Sequence, residues 1–135
     1  MNLIAPPDKI VRIRNRWQDT HCIHMEHEAL EAGPIEPGWR SAQWILPQVP
    51  GEPFVLIRNQ WHGAHFLNVE EGQLQCSRAE PAWHSAHWYL ERVKGTRFYR
   101  LRNRWAGHCY VHCEQGSLEA GEISESWQSA QWELS

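Results

Sequence analysis

Residues 11 to 17 read Val-Arg-Ile-Arg-Asn-Arg-Trp, with side chains of differing polarity alternating along the chain. A period of two predicts a half-buried β-strand. After Gln18-Asp19-Thr20, a turn sequence, Cys22-Ile-His-Met-Glu26 alternates again, placing Ile23 and Met25 on one face and His24 and Glu26 on the other. Leu30 to Gly33 makes a short third strand. Ala42-Gln-Trp-Ile-Leu46 makes a fourth, with Trp44 and Leu46 sharing a face. Gly33-Pro34 and Pro37-Gly38 supply the turns between them. Strands this short and this regularly spaced predict an all-β sandwich or barrel, with no helix longer than two turns.

The pattern then repeats. Trp17, Trp61 and Trp105 are 44 residues apart, as are Trp39, Trp83 and Trp127, and Trp44, Trp88 and Trp132. Three copies, 11–46, 55–90 and 99–134, align without a gap. Ten positions are identical in all three: Arg14, Asn15, Trp17, Glu26, Leu30, Trp39, Ser41, Ala42, Trp44 and Leu46 in the first copy. The linkers, Pro47 to Phe54 and Glu91 to Phe98, are too short to separate domains. A 36-residue unit is too small to bury a core alone. The three copies are therefore read as one domain, 1–135, with a shared core and threefold pseudosymmetry. Three is too few for a propeller, which typically has four to eight blades, so a closed barrel remains.

Composition agrees with a folded domain of unusual core. Leu, Ile, Val and Phe number 27 of 135 residues, a low share, and nine Trp supply the missing apolar volume. The net charge of -3 argues against a nucleic-acid binder. No run approaches the ~20 apolar residues of a membrane helix, so no membrane insertion is expected. Met1 to Lys9 lacks the apolar stretch of a signal peptide, which predicts a protein that is cytoplasmic or released without one. Cys22, Cys76, Cys109 and Cys113 match no zinc or disulfide spacing and are read as free thiols. His108-Cys109-x-x-His112-Cys113 looks metal-like, but in a strand the two His face one side and the two Cys the other. No metal and no cofactor are expected.

The threefold period near 44 and a fourth strand ending in Trp-x-Leu resemble the β-trefoil families, especially the ricin B-type lectin domains. The resemblance covers residues 11 to 134. It implies a six-stranded barrel capped by three hairpins, four strands to a repeat, with one potential ligand pocket per repeat. The signature Gln-x-Trp of those lectins is degenerate here. Ser41-Ala42-Gln43-Trp44, Ser85-Ala86-His87-Trp88 and Ser129-Ala130-Gln131-Trp132 carry Ala where the family has Gln. No repeat has Asp where the family's galactose-orienting acid is expected.

The candidate binding residues repeat with the period. They are Trp17, His24, Glu26 and Trp39 in the first copy, Trp61, Asn68, Glu70 and Trp83 in the second, and Trp105, His112, Glu114 and Trp127 in the third. Indoles stack on the apolar faces of sugar rings, carboxylates accept from adjacent hydroxyls, and His and Asn both donate and accept. A hairpin centred on Asp19 and Thr20 would set Arg14 opposite Glu26 and Arg16 opposite His24. Each site is expected to draw its groups from its own repeat.

No nucleophile elbow, phosphate loop or zinc-protease helix is present, and a polar set repeated three times does not suit a single catalytic centre. The expected function is a non-catalytic, multivalent carbohydrate-binding module with glycans or glycoconjugates as partners. A homodimer is compatible with it. Two alternatives stand beside it. One is a protein-interaction or protease-inhibitor trefoil acting through a distinctive loop. The other binds anionic ligands through the stripes Arg12/Arg14/Arg16 and Arg100/Arg102/Arg104.

Overall fold

The computed structural model describes residues 9–135. The expectation drawn from Met1 to Lys9 therefore rests, apart from Lys9, on residues outside those described.

The first copy contributes β1 (Ile10–Val11), β2 (Ile13–Asn15), β3 (Cys22–His24), β4 (Glu31–Gly33) and β5 (Trp44–Ile45). The second contributes β6 (Arg58–Asn59), β7 (His65–Glu70), β8 (Gln73–Arg78) and β9 (Trp88–Arg92). The third contributes β10 (Phe98–Asn103), β11 (Tyr110–His112), β12 (Glu119–Gly121) and β13 (Trp132–Leu134). With β1 and β2 taken as one interrupted strand, each repeat has the expected four. The helical segments among the described residues are three 3₁₀ turns of three residues each: Arg40–Ala42, His84–Ala86 and Gln128–Ala130.

First and fourth strands alternate around a ring. β1 pairs β5, β5 pairs β6, Val55 bridges to Trp88 of β9, β9 pairs β10, β10 pairs β13, and β13 returns to β2. This is a closed six-position barrel, which leaves no free sheet edge along it. The second and third strands form three capping hairpins, β3–β4, β7–β8 and β11–β12. The architecture is a β-trefoil with three repeats.

The core confirms the Trp-x-Leu reading. Trp44, Trp88 and Trp132 have no solvent exposure and pack with Ile13, Ile23, Ile57, Leu67, Leu101 and Val111. Each indole N–H donates to a carbonyl of the adjacent hairpin, Ile23, Leu67 or Val111, at 2.9 Å. A buried indole donor left unpaired would cost stability, so this bond ties each barrel Trp to its own cap. Leu46 is buried, while Leu90 and Leu134 pack on the cluster from partly exposed positions.

The first strands end two residues earlier than the alternation suggested. The Asn15 side-chain oxygen accepts from the backbone N–H of Trp17 and Gln18, and Asn59 and Asn103 do the same for their repeats. An Asn that bonds its own backbone ahead turns the chain. The hairpin therefore closes sooner, and Arg14 faces Cys22, not Glu26. Arg58 faces Phe66 and Arg102 faces Tyr110 in the same register. Arg14 instead donates to the Asp19 carbonyl at 3.0 Å.

The arginine stripes are engaged within the molecule. Arg12 and Arg100 donate to the carbonyls of Pro37 and Glu125. Arg16 donates to Gln131 Oε1 and lies 4.6 Å over the Phe98 ring. Arg104 bonds His87, approaches Glu52 and lies 4.5 Å over Phe54. Arg102 lies over Tyr89. This arrangement weighs against an anion-binding stripe. All four Cys are buried, and burial raises their thiol pKa values, to about 12 for Cys76 and, with Glu114 beside it, to about 11 for Cys113. Val111 and Cys113 point into the core while His108 is exposed.

Candidate functional site

Five of the ten invariant positions meet where one repeat joins the next. Asn59 Nδ2 donates to the Ser41 carbonyl, Asn103 to Ser85 and Asn15 to Ser129, at 2.9–3.0 Å. Each Asn also turns the chain into the Trp two residues on. The Trp17-type indole of one repeat is thereby held beside the Ser41-type turn of the preceding repeat. In that same turn the Ser hydroxyl donates to the invariant glutamate: Ser41 to Glu26 at 2.7 Å, Ser85 to Glu70 at 2.8 Å and Ser129 to Glu114 at 2.6 Å. Short O–H···O⁻ bonds of this kind fix a carboxylate strongly. The bonds are to Oε1, and among the described residues no side chain bonds Oε2.

The result is a pair of concavities at equivalent junctions. One, of about 440 Å³, is lined by Glu70, Trp83, His84 and Ser85 of the second repeat and Trp105 of the third. The other, of about 240 Å³, is lined by Glu114, Trp127, Gln128 and Ser129 of the third repeat and Trp17 of the first. The third junction brings together Ser41, Glu26, Asn59 and, through Asn59, Trp61, with Arg40 at the position of His84 and Gln128. Trp17, Trp61, Trp83 and Trp105 are the large exposed aromatics of the described residues. Each concavity thus offers two indole faces and an anchored carboxylate, open to solvent.

This arrangement corrects the expectation that each site is built within one repeat. The Trp17-type residue serves the repeat before its own, because the Asn–Ser bond crosses the junction. It also corrects the place of the His24 series. His24, Asn68 and His112 are buried, not displayed on an outward face. The imidazoles of His24 and His112 lie edge-on beneath Trp39 and Trp127, 5.4 Å between ring centroids. Their Nδ1 atoms accept the backbone N–H of Glu26 and Glu114. Burial lowers both pKa values despite the neighbouring carboxylates, so these rings support the platform in neutral form. Asn68 Nδ2 donates instead to the Phe66 carbonyl and to Ser77 Oγ. Ser41, Ser85 and Ser129 were the missing members of the set. Their signal was an invariant hydroxyl 15 residues after an invariant carboxylate.

His24, His27 and Glu31 bring three potential metal-ligand atoms within 4.8 Å of one another. The hydrogen bonding does not suit a cation. Because His24 Nδ1 is already an acceptor, the neutral ring carries its proton on Nε2, the atom 3.6 Å from Glu31. A metal ligand needs the opposite tautomer.

No protein-family model matches the sequence, and no curated protein sequence matches it. Solved structures do. The chain is similar to a GlcNAcα1-4Gal-releasing endo-β-galactosidase from Clostridium perfringens, with TM-score 0.81 and 26 % identity, over 93 % of this chain and 31 % of that one. It is similar to the designed threefold-symmetric protein ThreeFoil, with TM-score 0.78 and 16 % identity, over 93 % of this chain and 96 % of that one. It is also similar to SeviL, solved bound to asialo-GM1 saccharide, with TM-score 0.76 and 21 % identity, over 93 % and 95 % of the two chains. The chain therefore spans less than a third of the length of the galactosidase. These likenesses establish the β-trefoil fold.

Proposed function

We propose that the domain is a non-catalytic carbohydrate-binding module whose sites are the repeat junctions. One observation carries this reading: two indoles, one exposed and one exposed or half-buried, and a serine-anchored carboxylate recur in equivalent concavities, assembled by invariant residues. The two indoles offer apolar faces to a pyranose ring. Oε2 of Glu70 or Glu114 accepts from a sugar hydroxyl, and His84 or Gln128 adds a donor at the rim. The glycan-bound state of SeviL supports the class of ligand. Shallow open sites give weak single-site affinity, and three around one barrel give avidity through multivalent contact.

The test is glycan-array binding and calorimetry with the wild-type domain, then with Glu70→Gln and Trp105→Ala. Both substitutions are expected to weaken binding at the junction of repeats two and three and to leave the fold intact. Wild-type protein that captures no glycan, while engaging a protein ligand through one unique loop, would replace this reading with an interaction module.

A further inference from the structure

The second repeat differs from the other two around its platform Trp, and the differences open a cavity. In repeats one and three an imidazole sits edge-on to Trp39 or Trp127, and both indoles are half-buried. In repeat two the position belongs to Asn68, a smaller side chain occupied with Phe66 and Ser77. Ala79 stands where the other copies carry Ile35 and Ile123. Trp83 has no ring partner among the described residues and is 45 % exposed. Beside it lies a concavity of about 480 Å³, within the range of small-molecule sites. Gly63, Phe66 and Pro81 give it apolar walls, and Arg78 and Glu80 give it charge. Trp83 is shared between this cavity and the junction concavity that holds Glu70 and Trp105.

The Arg78 side chain makes no hydrogen bond and no ion pair among the described residues. Its cross-strand partner is His65, not a carboxylate. Glu80 lines the same cavity without pairing with it, and the Glu80 carbonyl is bonded by the Trp83 N–H, which fixes the turn. The equivalents of Arg78 are Pro34 and Glu122, so the guanidinium is peculiar to repeat two.

Resting on the carbohydrate reading above, we infer that repeat two carries an additional subsite for a carboxylate-bearing sugar residue, with Arg78 as the carboxylate partner. The guanidinium fork matches a carboxylate bidentately. The apolar flank of the sugar lies against Trp83 and Pro81, and Glu80 accepts from a ring hydroxyl. A sialic acid and a hexuronic acid both present this chemistry.

The experiment measures binding of the full chain to four immobilised probes: 3′-sialyllactose, a glucuronate-terminated oligosaccharide, and the carboxyl methyl ester of each. The wild type is expected to bind at least one acid roughly tenfold or more tightly than its ester, as for a charge-assisted bond. The acid that shows this gap identifies the source. Arg78→Gln is expected to abolish the gap and to leave capture of neutral glycans on the same array unchanged. Arg78→Lys should retain part of the gap, because it keeps charge but not the fork. Wild-type protein that captures neutral glycans but treats acids and esters alike overturns this subsite and leaves the junction reading standing. A gap that survives Arg78→Gln also overturns it. Protein that binds neither acidic nor neutral glycans overturns both.

Discussion

The fate of each tryptophan is set by what surrounds it. Trp44, Trp88 and Trp132 are enclosed and hydrogen-bonded, whereas Trp105 is 72 % exposed at a junction. Trp44→Ala should destabilise the fold by roughly 3–5 kcal/mol, as for a buried aromatic. Trp105→Ala should change stability by no more than about 0.5 kcal/mol, as for a surface position. Urea unfolding of both variants checks the contrast, and similar losses would contradict the division between core and platform. Glu28 offers a second test. It adopts φ 63° where the equivalent residues are Gly72, at 77°, and Gly116, at 91°. A side chain in the left-handed region costs roughly 1–2 kcal/mol. Its contact with His62, 3.5 Å, is too long for a hydrogen bond and comes from a largely exposed carboxylate, so it contributes little. Glu28→Gly should therefore stabilise the domain by about 0.5–1 kcal/mol after the greater freedom of unfolded glycine is counted. A lower urea midpoint than wild type would show that the turn is not strained.

Among the elements, the hairpins carry a paired substitution visible within this one chain. His24 lies 3.6 Å from the position a Cβ on Gly33 would take, and His112 stands in the same relation to Gly121. Repeat two has Asn68 with Ser77, joined by a hydrogen bond. His24→Asn alone removes a packed ring and leaves its amide short of a partner. Adding Gly33→Ser supplies the hydroxyl, so the double variant should recover roughly 0.5–3 kcal/mol of the loss. The imidazoles also predict acid sensitivity. Burial sets the folded pKa of His24 and His112 below the usual 6.5. Above pH 6.5 both folded and unfolded states are neutral and stability is level. As pH falls below 6.5 the unfolded chain takes up protons first, so stability declines until the lower folded pKa is reached. Carrying the Asn–Ser pair into repeats one and three should shrink that decline in urea melts between pH 7.5 and 5.5. An unchanged pH profile would assign the effect elsewhere. The hairpins also mark where sequence reasoning stopped. Alternation located every strand, because one face of each meets a common core. The register differs because alternation carries the strand on through Arg16 and Trp17, whereas the Asn15 side chain ends it. The junction was missed because aligning copies compares like with like, whereas the Ser41–Asn59 contact spans 18 residues and a linker.

At the scale of the whole molecule, the proposed function makes the barrel a single surface of three weak junction sites. Closure requires that the last strand of each repeat meet the first of the next, and that meeting builds every junction. The number of proposed sites is thus tied to the number of repeats, and the junction of repeats three and one closes only when β13 reaches β2. That topology makes a sharp prediction about avidity. Glu114→Gln keeps an acceptor for the Ser129 hydroxyl but removes the charge, so the fold and the other junctions should be untouched. Calorimetry with a free monosaccharide-type ligand should show one fewer site, with the remaining affinity unchanged. Binding to a dense glycan surface should fall much further, because each lost contact removes an effective-concentration gain that reaches ~10²–10⁴. Glu70→Gln combined with Glu114→Gln should bring surface binding close to the single-site affinity. If surface binding instead declines only in proportion to the sites removed, the junctions act independently, and the threefold barrel contributes copies without contributing avidity.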